Sequence, residues 1–337
     1  PEWPISPNVQ QIVLLAAAIG LAVAVAGAFL IEFLDDTVHS AEDVTRLTNL
    51  PLMAAIARID GGRNDSKLIT RQDPLSPISE AYRLLCTNIR FSVVDKPLFT
   101  LMVTSAGPSE GKSVTLANLA VAFAESGKNV LVLDADLRRP TQHRIFDSPN
   151  AIGLSDAILN AGNSIMEYVQ QTQISNVHLL AAGQVPPNPA QLLASERLGN
   201  ILQELRQHMD LVLLDCPPAL VVADAAILGS RVDATLLVTD RGQTRRNMVR
   251  QVVEELRRAG ANPVGVVLNR ASAGRAGYGY YYTDRDERRD QARRLPKSRR
   301  SGRRVKRSRD PSLISSAEPQ ARPERTVSSV AEKNTTR

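Results

Sequence analysis

Residues 12–31 read IVLLAAAIGLAVAVAGAFLI, twenty residues without a charge. As a helix rising about 1.5 Å per residue, such a run is about 30 Å long, the thickness of a bilayer's hydrocarbon core. Eleven of the twenty are Ile, Val, Leu or Phe. At their usual transfer energies these favour insertion by roughly 3–7 kcal/mol. A buried core helix is the alternative, but core helices of soluble domains rarely run five turns without a polar residue. The sequence therefore predicts a transmembrane helix over 12–33, with 1–11 as an extracytoplasmic juxtamembrane segment. Gly20 and Gly27 permit close helix approach, though their spacing is not GxxxG. No Lys or Arg precedes the run and Arg46 is the only one within fifteen positions after it, which points to a cytoplasmic C-terminal side. With neither Met nor a charged leader at Pro1, the chain is expected to be the C-terminal part of a longer protein.

Beyond the apolar run, composition narrows the choice. Hydrophobic residues are 43% and charged residues 23% of 337, which excludes a wholly disordered chain and allows one or two domains. The net charge of +6 is unevenly spread. Residues 285–309 hold thirteen basic and three acidic side chains, so the rest of the chain sums to −4. A mildly acidic body thus carries a basic tail. Cys86 and Cys216, the two cysteines, are too few for a disulfide framework and lack metal-ligand spacing, which fits a reducing compartment.

After the span, residues 34–78 read as a cytoplasmic linker with a short helix, the strand-like LPLMAAIARI and a polar, turn-rich stretch. Ser76 followed by Pro77 marks a helix start, running to about residue 91. Apolar runs at 98–104, 130–134, 177–181, 211–215, 234–239 and 264–268 then alternate with helical stretches, for example 112–126 and 244–259. These runs are short, rich in Val and Leu, and mostly without alternation, as strands buried on both faces are. The pattern predicts an α/β domain over 79–272 with a doubly wound, mostly parallel sheet. Residues 273–337 turn Gly/Tyr-rich, then Arg-rich, then Ser/Pro/Glu-rich, and predict disorder.

Between the first of these runs and its helix lies TSAGPSEGKSVT. Gly111, Lys112 and Ser113 form the end of a P-loop, in which backbone N–H groups and a helix N-terminus face phosphate oxygens. Lys112 is placed to reach the β- and γ-phosphates, Ser113 Oγ to ligate Mg²⁺, and Thr115 to approach the α-phosphate. The full GxxxxGK[ST] pattern is not met, because Ala106 stands where the first Gly belongs. An ordinary strand–loop–helix is the bland reading of this segment alone. Asp134 and Asp136 at one strand end and Asp215 at another shift the balance, since open parallel sheets bind ligands outside their carboxyl ends. Buried carboxylates without a cation are costly, and Mg²⁺ with ATP supplies one. The competing reading is that each Asp merely caps the helix after it.

Taken in order, GPSEGKS, LDADLRRP, NPAQLL and LLDCPP, with SEAYRLLCTNIRF before and GYGYYYTD after them, resemble a bacterial tyrosine kinase of the polysaccharide copolymerase type. SPN, FLDDTVHSAEDV and LPLMAAIARI resemble the part of that family around its last membrane span. The resemblance implies a P-loop NTPase fold and an ATP-dependent protein-tyrosine autokinase, anchored in the bacterial inner membrane with its kinase domain in the cytoplasm. By position, Lys112, Asp134, Asp136 and Asp215 are the expected catalytic residues. Gly107, Pro108, Ser109, Glu110, Gly111, Lys112, Ser113, Val114, Thr115, Arg138 and Asn269 are expected to hold nucleotide, and Ser113, Asp136 and Asp215 the metal. The first A′ carboxylate, Asp134, is implied to help activate the tyrosine hydroxyl. Two positions depart from the family. Ser109 replaces a usual Gly, and Cys86 replaces the last Arg of an oligomerisation motif whose Glu80 and Arg83 are present. Gly107 lies where partition and division-site ATPases carry a signature lysine, which argues against those relatives.

Tyr278, Tyr280, Tyr281 and Tyr282 are four of the six tyrosines and are the expected phosphoacceptors. A phenol of pKa about 10 needs a proton acceptor as the phosphoryl arrives, and a flexible segment can deliver it, most readily into a neighbouring subunit. A sticky aromatic patch or hairpin is the plain alternative. Expected partners are further copies of the chain, a polysaccharide polymerisation and export machinery, an opposing tyrosine phosphatase and the membrane. The basic tail suits an anionic lipid surface or bulk solvent; without interleaved aromatics it is not expected to bind nucleic acid. A P-loop ATPase switch that organises a membrane complex without phosphorylating tyrosine is the second functional reading, and a scaffold with a degenerate nucleotide site a third.

Overall fold

The structure is a computed structural model and describes residues 9–59, 68–93, 97–160 and 162–271. The tyrosine cluster and the basic tail lie outside the described residues.

Helix α1, Val9–Leu34, contains the apolar run; it is 26 residues long, with a mean hydropathy of 2.6 over its most apolar stretch and none of that stretch buried against protein. It is long and apolar enough to cross a membrane. The other helices are α2 (Ala41–Thr48), α3 (Ile69–Gln72), α4 (Pro77–Ser92), α5 (Lys112–Glu125), α6 (Gln142–Ile145) and α7 (Leu154–Leu159), then α8 (Pro189–Ala194), α9 (Glu196–Leu205), α10 (Asp224–Gly229) and α11 (Arg246–Arg258). The strands are β1 (Leu52–Ala57), β2 (Thr100–Ser105), β3 (Val130–Asp134), β4 (Gln170–Gln171), β5 (Val177–Leu180), β6 (Leu211–Asp215), β7 (Ala234–Asp240) and β8 (Pro263–Ala271). They form one sheet in the order β1-β8-β7-β2-β6-β3-β5-β4, with every neighbouring pair parallel except β4 against β5.

The central strands are buried on both faces, which is why their sequences run apolar without alternation. Their residues still sort by parity. Leu131, Leu133, Val212 and Leu214 pack in one apolar layer beneath α7, α9, α10 and α11. Val130, Val132, Leu211 and Leu213 pack in the other, against α4 and α5. The expected helix starts are present: Ser76 Oγ accepts from Ser79 N at 3.1 Å and Pro77 opens α4. At α2, Ser40 Oγ accepts from Asp43 N and Asp43 accepts from Ser40 N, a reciprocal capping box.

Residues 34–78, expected as a linker, supply more than a connection. β1 pairs in parallel with β8 and forms one border of the sheet. Val38, Val44 and Leu50, which precede it, are buried in the main apolar layer. Helix α3 packs on α5, where Thr70 N and Oγ1 donate to Asn118 Oδ1 at 3.1 and 3.0 Å. The strand run is interrupted at β4, a two-residue antiparallel pairing that closes the far border.

Candidate active site

β2, β3, β6, β7 and β8 all end at the same border, and each brings a polar group there. Asp134 and Asp215 are register partners across β3 and β6, and Asp240 and Asn269 across β7 and β8. Between β2 and α5 the chain makes its loop. Gly111 caps α5 with φ 93° and no side-chain hydrogen bond, so the first-turn N–H groups remain free to face an anion. Only glycine fits there: a Cβ would stand 2.1 Å from Asn269 Nδ2, and the left-handed φ disfavours any side chain. Asn269 Nδ2 donates to Glu110 O at 2.9 Å and so props the loop from β8.

Lys112 is the hub. Its Nζ donates to Asp136 Oδ2 at 3.0 Å, Asp215 Oδ1 at 3.2 Å and Ser113 Oγ at 3.2 Å. Burial works against its charge, but the carboxylates of Asp215 and Asp136 outweigh that and hold its pKa above the ordinary lysine value. The structure thus brings Lys112, Ser113, Asp136 and Asp215 together. Asp134 sits beside them, fully buried, with its carboxylate turned to backbone amides. Oδ2 accepts from Thr141 N and Gln142 N at 3.0 Å each, and Oδ1 from Asp136 N at 3.3 Å. Burial, and then the Asp215 carboxylate, push its pKa up. In this arrangement Asp134 also caps α6, so capping and site membership coexist in one residue.

The remaining predicted residues divide. Pro108, Ser109, Gly111, Lys112, Ser113 and Val114 line an open cleft of about 900 Å³ above the loop. Thr115 is buried in the first turn of α5. Glu110 contributes its backbone to the loop, but its carboxylate is buried beneath, accepting from Ala106 N at 3.0 Å and Thr244 Oγ1 at 2.8 Å. Gly107 lies against that carboxylate, its absent Cβ only 3.3 Å from Glu110 Oε1. Arg138, expected at the nucleotide, is instead clasped by buried Asp224 at 2.8 and 3.0 Å. A second cavity, of about 1030 Å³, lies beside Phe99 and Arg206 and contains none of the predicted residues.

Four side chains escape the sequence reading. Gln142 Nε2 donates to Asp215 Oδ2 at 2.8 Å and to Ser113 O at 3.1 Å, tying α6 to the hub. Arg139 lines the cleft. Arg270 pairs with Asp240 and donates to Ser109 O at 3.2 Å. Thr244 holds Glu110. Position after a strand-end motif could have flagged Gln142, six residues beyond Asp136; nothing local flags Thr244.

Among the described residues no group of three or more His, Cys, Asp or Glu forms a ready metal cage. The donors around Lys112 are two carboxylates and a hydroxyl, hard oxygens of the kind that bind Mg²⁺ together with phosphate and water. They fit that ion.

Free helix-start amides beside a lysine held between strand-end carboxylates are how P-loop nucleotide-binding proteins grip a polyphosphate, and this chain is of that class. The family model described as "AAA domain" matches residues 103–259. The chain is 40% identical over 230 residues to "Tyrosine-protein kinase YwqD" of Bacillus subtilis, covering 68% of this chain and 97% of that protein. It is 31% identical over 279 residues to "Putative tyrosine-protein kinase in cps region" of Klebsiella pneumoniae, covering 79% of this chain but 38% of that one. Its fold is similar to the kinase domain of Escherichia coli tyrosine kinase ETK, with TM-score 0.65 and 32% identity, covering 73% of this chain and 99% of that domain. The chain belongs to the bacterial tyrosine-protein kinases. It is a nucleotide-binding protein-tyrosine kinase, and the kinase reading prevails over that of an ATPase switch without tyrosine transfer.

Proposed function

We propose that the chain is a membrane-anchored autokinase that moves the γ-phosphoryl of ATP to Tyr278, Tyr280, Tyr281 and Tyr282. The observation that carries this reading is the Lys112 ammonium, set at the loop within 3.0 and 3.2 Å of two strand-end carboxylates. Lys112 orients the β- and γ-phosphates, with the loop amides of 107–115 around them. Mg²⁺, when bound, neutralises charge that builds on the phosphoryl oxygens, and Ser113, Asp136 and Asp215 would hold it. Gln142 keeps Asp215 aimed at the cleft. Asp134 is the proton acceptor for the tyrosine hydroxyl. Its Oδ1 receives only one long hydrogen bond, and its raised pKa makes it more basic than an ordinary carboxylate. Asn269 props the loop from the side on which the base would lie, and Arg138, occupied by Asp224, acts on the fold rather than the phosphates.

Helix α1 is the membrane anchor, and the bacterial inner membrane with a cytoplasmic kinase domain is the setting that gives the site its ATP. Phosphoryl transfer runs between copies of the chain and is reversed by a tyrosine phosphatase. The kinship with a protein from a cps region supports a role in governing polysaccharide polymerisation and export. Each added phosphate brings about −1.5 to −2 charges to a segment beside the Arg-rich tail, enough to change what that tail binds.

The test is to incubate the full chain in detergent with labelled ATP and Mg²⁺. Label is expected on tyrosine, absent in Lys112→Met and in a variant with Tyr278, Tyr280, Tyr281 and Tyr282 all changed to Phe. Phosphate released to solution with unlabelled protein would overturn the proposal.

A further inference from the structure

The cleft above the phosphate loop is lined, among the described residues, by five cations, Arg71, Lys112, Arg139, Arg144 and Arg270, and by two carboxylates, Asp136 and Asp147. Lys112 is matched by Asp136 and Asp215, and Arg270 by Asp240. Among the described residues, Arg71, Arg139 and Arg144 form no ion pair. Asp147 alone is left in the lining to offset three positive charges. Arg71 donates twice to the neutral Gln173 Oε1, at 3.3 Å each, and Arg144 once to Pro140 O at 3.1 Å. Most of the five N–H donors on each guanidinium therefore remain unused.

The fold places Arg71 and Arg144 away from the loop amides but on the same cleft. Arg71 lies on α3 and Arg144 on α6, and both helices pack against α5, the helix that starts at the loop. Through Gln173, Arg71 is tied to the connection between β4 and β5. Arg144 follows Gln142, whose amide fastens α6 to Asp215. Both arginine side chains are exposed, and the half-buried Ile145 and Ile174 line the same cleft. Guanidinium forks take phosphate oxygens in pairs, and apolar side chains take the face of a ring, so this wall suits a phosphorylated phenol. The loop amides, Lys112 and a magnesium ion already answer the charge of a nucleotide triphosphate, so these arginines are available to a second anion.

We propose that Arg71 and Arg144 bind a phosphotyrosine already present on the acceptor segment, so that one transfer improves that segment as substrate for the next. The proposal rests on the reading that the reaction is transfer to the tyrosines at 278–282. Four tyrosines fall within those five positions. In an extended segment, residues two apart project from one face, about 7 Å from each other. With Tyr280 at the γ-phosphate, Tyr278 and Tyr282 then project toward the same cleft. A phosphate on either brings about −1.5 to −2 charges to the arginine wall, where an unmodified phenol brings none. This interaction is made before and during transfer alike, so it lowers KM for the acceptor and leaves kcat nearly unchanged.

The experiment uses the full chain in detergent micelles, with its own four acceptors changed to Phe. The probes are two peptides of residues 274–284 in which Tyr280 is the acceptor, positions 278 and 281 are Phe, and position 282 is either Phe or phosphotyrosine. Binding is read by fluorescence anisotropy with Mg²⁺ and ADP present, which keeps the loop amides occupied. Transfer is read with Mg²⁺ and labelled ATP. The phosphorylated peptide is expected to bind about tenfold more tightly and to show a KM about tenfold lower, with kcat within about twofold. In Arg71→Ala/Arg144→Ala the two peptides should come within about twofold of each other, with KM for ATP and the melting temperature unchanged. Arg144→Ala alone should weaken binding of the phosphorylated peptide about threefold, which keeps the test decisive if the double variant fails to fold. Equal affinity for the two peptides in the parent protein, or a preference that survives in the folded variants, would overturn the proposal. If neither peptide is labelled, tyrosine transfer is the reading that fails, while the binding comparison still decides whether the arginines hold phosphotyrosine.

Discussion

Ser109 stands in the left-handed region at φ 65°, in a loop whose amides must all face one way. A non-glycine residue there costs about 1–2 kcal/mol, partly offset because glycine loses more entropy on folding. Ser109→Gly is therefore expected to stabilise the protein by about 0.5–1 kcal/mol, read from the denaturation midpoint. Glu110 gives a pH signature. Burial pushes its pKa from 4.5 to about 7. A carboxyl whose folded pKa is raised favours the folded state when protonated, so its contribution falls as pH rises from 4.5 through about 7. The full span is worth about 3 kcal/mol. Glu110→Gln, which remains neutral throughout, should lose less stability than wild type between pH 5 and pH 8 in thermal melts; parallel curves would refute that. Asp134, also raised, is common to both proteins and cancels in the comparison. Lys112, Asp136 and Asp215 were legible in the sequence because strand ends and a Gly-Lys-Ser step are local patterns. Thr244 and Arg270 were not, since each acts on a loop more than 130 positions away in the chain.

At the scale of elements, the loop works because α5 begins uncapped and β8 leans on it. Gly111→Ala would drive a Cβ to 2.1 Å from Asn269 Nδ2 at a φ of 93°. The expected result is a loss of at least about 2 kcal/mol in stability, from the left-handed penalty plus the clash, together with loss of ATP binding by calorimetry. The central strands and α4, α5 and α11 could be read from apolar runs, a Ser-Pro start and glycine stops. β1 could not be assigned to the sheet. LPLMAAIARI looks strand-like, but nothing near it names β8 as its partner, and a polar stretch follows it, as a linker would. The departure at Cys86 also has a physical reading at this scale. Its side chain is buried among Tyr82, Leu85 and Ile89 on the inner face of α4, while Arg83 is bound to Glu80 and Glu125 of the same chain. Neither position offers a free cation to a neighbouring copy.

For the whole molecule, the proposed transfer between copies would make labelling second order. The initial rate per molecule should rise in proportion to protein concentration, and a rate unchanged on dilution would show each chain acting on itself. Tyr278 is seven residues past Ala271, a reach of at most about 25 Å at full extension. The seam between β1 and β8 has a further consequence, for biogenesis. Leu52 aligns with Val266, so the sheet's first strand has no partner until the last has been made. At 5–20 residues per second, the ribosome takes about 10–40 s to span that interval. Throughout it, the proposed anchor α1 can already be in the bilayer while the nascent kinase still lacks its closing strand, a window in which chaperones would find it.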